Sequence, residues 1–248
     1  MDISVTPIDG INEKLKRAHE NIVNLEVEIA RFFKESECPI VGDEDIDALY
    51  EKTEYLGKLR IPLRFSVLAG EILHHFRSSL DHIAWLLARP ECREEKPTKI
   101  EFPIFCERFD KNGSPSLKGK IEVFTSDTAK HIIERVQPYN GSDPLNDKLW
   151  IIHDLDRKAK HRELPLTLTG FDSGPIINAI GNFYAANPTA PMSFQLARKL
   201  KNEFKPSPVI LFADFSKGQP APMIEALNAL KDEVWFVFQE LLGELAKC

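Results

Sequence analysis

Ile11, Leu15, Ala18, Ile22, Leu25, Ile29 and Phe32 recur at alternating spacings of four and three, and no other pattern in the chain constrains its fold so tightly. The spacing predicts one long helix from about Ile11 to Lys34 with a single apolar seam. The seam is long enough for a helical hairpin or a dimer and too short for an extended coiled coil. Cys38-Pro39 and Val41-Gly42 end the helix.

A short helix is expected from Asp43 to about Leu56. A second long helix then opens with Pro62 in its first turn, where a missing N–H costs nothing, and stops before Pro90. At about 100° per residue, Ile72, Leu73, Phe76, Leu80, Ile83, Ala84 and Leu87 form one apolar arc. His74, His75, Arg77, Ser78, Ser79, Asp81 and His82 fill the opposite side. Glu91 to Gly119 reads as a long surface excursion pinned by Phe102 and Phe105 of Phe102-Pro103-Ile104-Phe105. A helix follows from Ser126 to Val136, then a turn at Gln137-Pro138-Tyr139-Asn140-Gly141. Asp143 or Asn146 is placed to cap the next helix, which reaches about Arg162.

After Glu163 the pattern changes to strands at Leu164–Thr169, Gly174–Ile180 and Pro208–Phe215, the last closed by Lys217-Gly218. A final helix spans Ile224–Leu245, burying Ile224, Leu227, Leu230, Val234, Val237, Phe238 and Leu241. The layout is α+β. Two long antiparallel helices and shorter ones make a bundle over residues 1–163. A small antiparallel sheet follows over 164–222, closed by a helix over 223–246, all within one domain spanning 1–248.

The net charge of −6 supplies no global basic field, which argues against a general nucleic-acid coater and leaves room for a local basic patch. One small candidate is Lys58, Arg60 and Arg64. The first twenty residues lack a signal-peptide h-region, and the longest uncharged apolar run, around Ile83 to Ala88, is far too short to span a bilayer. A cytoplasmic location and no membrane partner are expected. Cys38, Cys92, Cys106 and Cys248 are scattered, as suits reduced thiols rather than a zinc site. No P-loop, G-x-G-x-x-G, nucleophile elbow or EF-hand loop is present, so no cofactor is expected.

Two stretches could carry chemistry. One is His74 to His82, with Arg77 and Asp81 a turn apart and His75, Ser78 and His82 on the neighbouring strip. The other is His153-Asp154-Leu155-Asp156-Arg157-Lys158-Ala159-Lys160-His161-Arg162. Here Ile151, Ile152, Leu155 and Ala159 face the core, and His153, Asp156, Arg157, Lys160 and His161 share the polar side. Arg77–Asp81 and Asp156–Lys160 also read as ordinary i,i+4 ion pairs, worth about 0.2–0.5 kcal/mol each. Against that bland reading, five of the seven histidines lie in these two stretches. Histidine suits proton transfer near neutral pH better than mere solubility. If the two helices pack together, the seam offers a base, an acid and a cation for a phosphoryl transition state.

"RSSLDHIAWLL", "FPIF", "VQPYN" and "LWIIHDLDRKAKHR" together resemble a family of uncharacterised bacterial proteins carrying R-S-x-L-D-H, F-P-I, Q-P-Y and L-H-x-L-D-x-x-x-K-H-R in this order. The resemblance covers about Leu68 to Arg162 and implies no activity. The chain also resembles the HEPN superfamily, many of whose members are metal-independent ribonucleases in toxin–antitoxin and phage-defence systems, with an R-x(4–6)-H motif at a dimer interface. That resemblance implies catalytic Arg77 and His82 with Asp81 beside them. His75, His153, Asp154, Lys160, His161 and Arg162 would support them or bind phosphate. It further implies RNA as partner, a homodimer and an antitoxin or regulatory protein. Ser78 departs from the polar Asn, Asp or His that often follows the Arg, and a strand-containing segment follows the motif. Two other readings stand beside it: a non-enzymatic binding or regulatory protein with a structural or anion-gripping seam, and a metal-dependent hydrolase assembled from His75, His82, His153 and Asp154.

Overall fold

Thr6 and Asp9 fix the start of the first helix, α1 (Pro7–Glu35): Thr6 Oγ accepts the Asp9 amide, and Asp9 Oδ2 accepts the Thr6 amide at 2.7 Å. This capping box satisfies two donors that the first turn leaves over. The fold comes from a computed structural model that describes residues 6–36, 55–161, 164–165, 167–171 and 208–247. The seam of α1 is buried from Ile11 to Ile29 as the spacing requires, but Phe33 completes it while Phe32 stays half-buried. A straight helix drifts away from a strict heptad, which carries Phe32 to the edge of the seam. There its ring meets Phe65 edge-on at 5.7 Å.

Helix α2 (Leu63–Leu87) runs antiparallel to α1, since Lys14 reaches Ser78 while Glu28 reaches Arg64. Pro62 is the cap of α2 in extended conformation, not a first-turn residue. Helix α3 (Pro90–Glu95), α4 (Lys118–Ile121) and α5 (Asp127–Arg135) are short. Helix α6 (Lys148–His161) packs antiparallel on α2, and α7 (Met223–Leu245) closes the bundle. The cap of α6 is Asp147, whose carboxylate accepts the Leu149 amide at 2.9 Å. Asp143 and Asn146 belong instead to the preceding 3-10 turn. Ser126 caps α5 and also bonds Glu244 of α7, tying the two helices together.

Strands β1 (Thr167–Phe171), β2 (Pro208–Ser216) and β3 (Gln219–Pro222) form an antiparallel sheet in the order β1-β2-β3, and the architecture is α+β. Lys217 and Gly218 both have positive φ, the two-residue turn whose twist suits a hairpin. Ile210 and Phe212 of β2 enter the same core as α1, α2, α5, α6 and α7. The expected strand Gly174–Ile180 and nearly all of the helix Asp43–Leu56 lie outside the described residues, as do Cys38 and Cys248. Cys92 and Cys106 are free thiols. No helix among the described residues is long and apolar enough to cross a membrane.

The excursion after α2 is pinned differently from expectation. Phe102 is fully buried and Ile104 nearly so, whereas Phe105 is only half-buried. Burying Phe102 contributes about 1.5–3 kcal/mol. On α7, Phe238 is buried while Trp235 and Phe236 are about half exposed.

Candidate functional site

Successive residues on α2 turn by about 100°, so Arg77 and Asp81 share one strip, and His82 stands about 140° round from Arg77. Arg77 is not on an exposed polar face. It is 5% exposed, covered by the 101–105 segment, which lies over the side of α2 that the sequence pattern leaves polar. Its Nη2 donates to Asp81 Oδ1 at 2.7 Å and to the Phe102 carbonyl at 2.9 Å. The same Asp81 oxygen accepts the Phe102 amide at 2.9 Å. Arg77 and Asp81 therefore satisfy both backbone groups of Phe102, which a buried extended segment must pair somewhere. Arg77 Nη1 is buried without a hydrogen-bond partner among the described residues.

One and three residues further on, at Pro103 and Phe105, Gln137 does the same from the other side. This buried amide accepts the Phe105 amide at 3.0 Å and donates to the carbonyls of Pro103 and Ile133, both at 2.9 Å. The R-S-S-L-D-H, F-P-I-F and Q-P-Y segments thus meet as one clamp. Two helix-borne side chains and an amide hold a stretch of chain that belongs to no sheet.

The second cluster meets the first across the α2–α6 seam. His74 Nδ1 lies 3.3 Å from Asp156 Oδ1, and Lys160 Nζ lies 2.7 Å from the other Asp156 oxygen. Asp156 is 4% exposed and faces α2, not the shared polar side expected for it. His153 stacks at a tilt beside Trp150, ring centroids 5.5 Å apart. Burial pushes its pKa down, and the charges of Arg77 and Arg157 push it further, against Glu101 and Asp154. Burial opposes ionisation of Glu101, but its 2.6 Å contact with Lys120, helped by Arg77 and His153, holds the carboxyl below its usual range. Asp154 is likewise held down by Lys158 and Arg157, at 2.8 Å each, in spite of burial. His161 ends α6, but its side chain, like the whole of Arg162, lies outside the described residues.

The comparisons with family models, with curated proteins and with solved structures return no match.

The other strip of α2 faces α1. Lys14 Nζ donates to Ser78 Oγ at 3.0 Å, and Ser78 sits between His75, one turn before it, and His82, one turn after. Burial and then the Lys14 charge lower the pKa of both imidazoles. His75 Nδ1 is buried without a hydrogen-bond partner among the described residues, whereas His82 is exposed overall and only partly desolvated. His82 lines an open cleft of about 790 Å³ together with Asp81, Trp85, Arg93 and the Thr6–Pro7 start of α1. An imidazole, an indole face and the Arg93 guanidinium in one cleft, with the Lys14 charge acting on His82 from α1, can accept a proton and hold an anionic, aromatic ligand.

Arg77 and His82 accordingly do not form a side-by-side pair within the chain. Nor do His75, His82, His153 and Asp154 assemble: the first two face α1 and its cleft, and the last two sit on α6. No three His, Cys, Asp or Glu side chains come together as a metal set among the described residues. Of the small basic patch, Arg64 pairs with Glu28 at 2.9 Å. Lys14, Glu101 and Gln137 are the members that sequence reasoning missed. Lys14 could have been found from its position one helical turn inside the α1 seam, at the level where an antiparallel partner brings Ser78.

Proposed function

We propose that the chain is a HEPN-like ribonuclease that works without metal, with His82 as the group that accepts a proton. The observation that carries this reading is the His82 imidazole, opening into the cleft with its pKa depressed and therefore in its base form at pH 7. In such a site the ribose 2′-hydroxyl loses its proton to His82 as its oxygen attacks the adjacent phosphorus. The bond to the 5′-oxygen breaks, and that oxygen takes up a proton, leaving a 2′,3′-cyclic phosphate. Lys14, on the α1 side of the same strip, supplies a positive charge for the phosphate. Arg77 acts as a positioning residue: it orients Asp81 at the edge of the cleft and holds the 101–105 segment. The resemblance would set this activity in bacterial defence or toxin action, with two copies of the chain meeting at the motif.

A second reading is favoured by the Arg77 clamp. A guanidinium 95% buried and bonded to its own chain fits a structural seam, as in a non-enzymatic binding or regulatory protein. The test is RNA cleavage by the purified chain, wild type beside His82→Ala, each with and without EDTA. Cleavage that resists EDTA and vanishes in His82→Ala at an unchanged melting temperature supports the ribonuclease. Cleavage retained in His82→Ala overturns it, and the absence of cleavage in every condition leaves the binding protein.

A further inference from the structure

Among the described residues of this acidic chain, the excursion after α2 forms a concentrated basic groove. A cavity of about 960 Å³ is lined by Arg89, Lys96, Lys99, Lys118 and Lys120, against only Asp110 and Glu122. The glutamates of α3, Glu91, Glu94 and Glu95, do not line it. Asp110 is already engaged: one carboxylate oxygen accepts the amides of Asn112 and Ser114 at 2.8 and 2.9 Å. Lys120 is paired with Glu101, and Arg89 donates to the Glu122 carbonyl. Lys96, Lys99 and Lys118 are exposed and make no side-chain hydrogen bond or ion pair with a described residue. Three exposed ammonium groups around one concavity give this part of a chain of net charge −6 a local positive field that favours an anion.

The groove adjoins the cleft of His82. Ile100 lines both cavities, and the neighbours Cys92 and Arg93 of α3 line one each. Phe105, half-buried, adds an apolar surface to the groove, and Trp85, 38% exposed, adds one to the cleft. A basic groove with an aromatic edge, set beside a cleft with an indole face, suits a single-stranded polynucleotide, whose phosphates need charge and whose bases need faces to rest on.

We propose that Lys96, Lys99 and Lys118 bind the phosphate backbone of single-stranded RNA and lead it past Ile100 into the cleft that holds His82. The inference rests on the ribonuclease reading only for its choice of polymer, because backbone binding needs no cleavage.

The experiment is fluorescence anisotropy of an end-labelled oligouridine titrated with the full chain over a range of salt. The proteins are wild type, the triple charge reversal K96E/K99E/K118E, a control reversal K16E/K34E/K247E elsewhere on the surface, and His82→Ala. Circular dichroism confirms that each is folded. The triple groove variant is expected to bind at least about tenfold more weakly than the control, with a salt slope shallower by about 2, since each single-strand phosphate contact contributes about 0.7. The comparison of groove and control reversals is repeated in the His82→Ala background, which keeps the RNA intact during the titration. If wild type binds and no protein cleaves, the groove stands and the ribonuclease reading falls. Equal affinity of the groove and control variants, or no RNA binding by wild type, overturns the groove. So does binding to phosphatidylserine vesicles in place of RNA.

Discussion

Arg77 holds Asp81 at 2.7 Å through the same carboxylate oxygen that receives the Phe102 amide, so one i,i+4 pair on α2 serves as an anchor for chain 21 residues away. An exposed pair of this kind would contribute a few tenths of a kcal/mol. Enclosure changes its weight.

Arg77→Ala should therefore destabilise the fold. Breaking a buried ion pair costs about 3–5 kcal/mol, and with Asp81 one-third exposed a loss of about 2–3 kcal/mol is expected, or roughly 5–10 °C in melting temperature. Arg77→Lys should recover little, because an ammonium lacks the planar fork that reaches Asp81 and the Phe102 carbonyl together. A wild-type melt in Arg77→Ala would show that the clamp carries no weight.

Gln137→Ala removes three hydrogen bonds at once and should cost about 2–3 kcal/mol. Hydrogen exchange followed by mass spectrometry reads the effect locally. The Phe105 amide is expected to lose protection well before the amides of α1 do, and uniform loss across the chain would contradict a local clamp.

Stability should fall as the pH drops. The pKa values of His75, His82 and His153 lie below the ordinary 6.5 in the folded chain, chiefly through burial, so the unfolded chain binds more protons as the pH passes below that value. Their contribution is complete above about pH 7 and is lost as the pH falls through the folded pKa values. Chemical denaturation between pH 8 and pH 5 is expected to show this decline, flattened in His153→Gln. A slope unchanged in that variant would remove His153 from the account.

Lys14→Met should raise the pKa of both His75 and His82, since the charge that depresses them is gone while their burial stays. Imidazole titrations by NMR report this directly. Under the ribonuclease reading, the acid limb of the cleavage profile should move up in step with His82. Unmoved midpoints would show that burial alone sets these values.

The long helices were legible because a 3.6-residue period declares itself within one stretch of sequence, and α1, α2 and α7 stand where the apolar spacing puts them. Strand β3 was not, because Pro220 and Pro222 argue against a strand, and its place at the edge of the sheet formed by the described residues is what admits them. The histidine-rich stretches were visible from composition, and the meeting of His74 with Asp156 follows from two helices packing side by side. The burial of Arg77 was hidden for a different reason. A helical wheel divides a helix into a core face and a solvent face, and here the second cover comes from residues 101–105, which show no period at all. Lys14 was hidden because it is one of several lysines on α1, singled out only by the antiparallel level at which Ser78 arrives.

The paired clamps on Phe102 and Phe105 make residues 102–105 behave as a ruler. Arg77 and Asp81 grip one end and Gln137 grips the other, so the number of residues between the two grips is fixed by the spacing of the helices that carry them. Adding or deleting one residue between the grips would misplace one of them and turn a buried ring outward. The arms on either side, 89–101 and 106–125, have no such measure imposed on them. An insertion in either arm should therefore be tolerated where the same insertion inside the four-residue gauge is not.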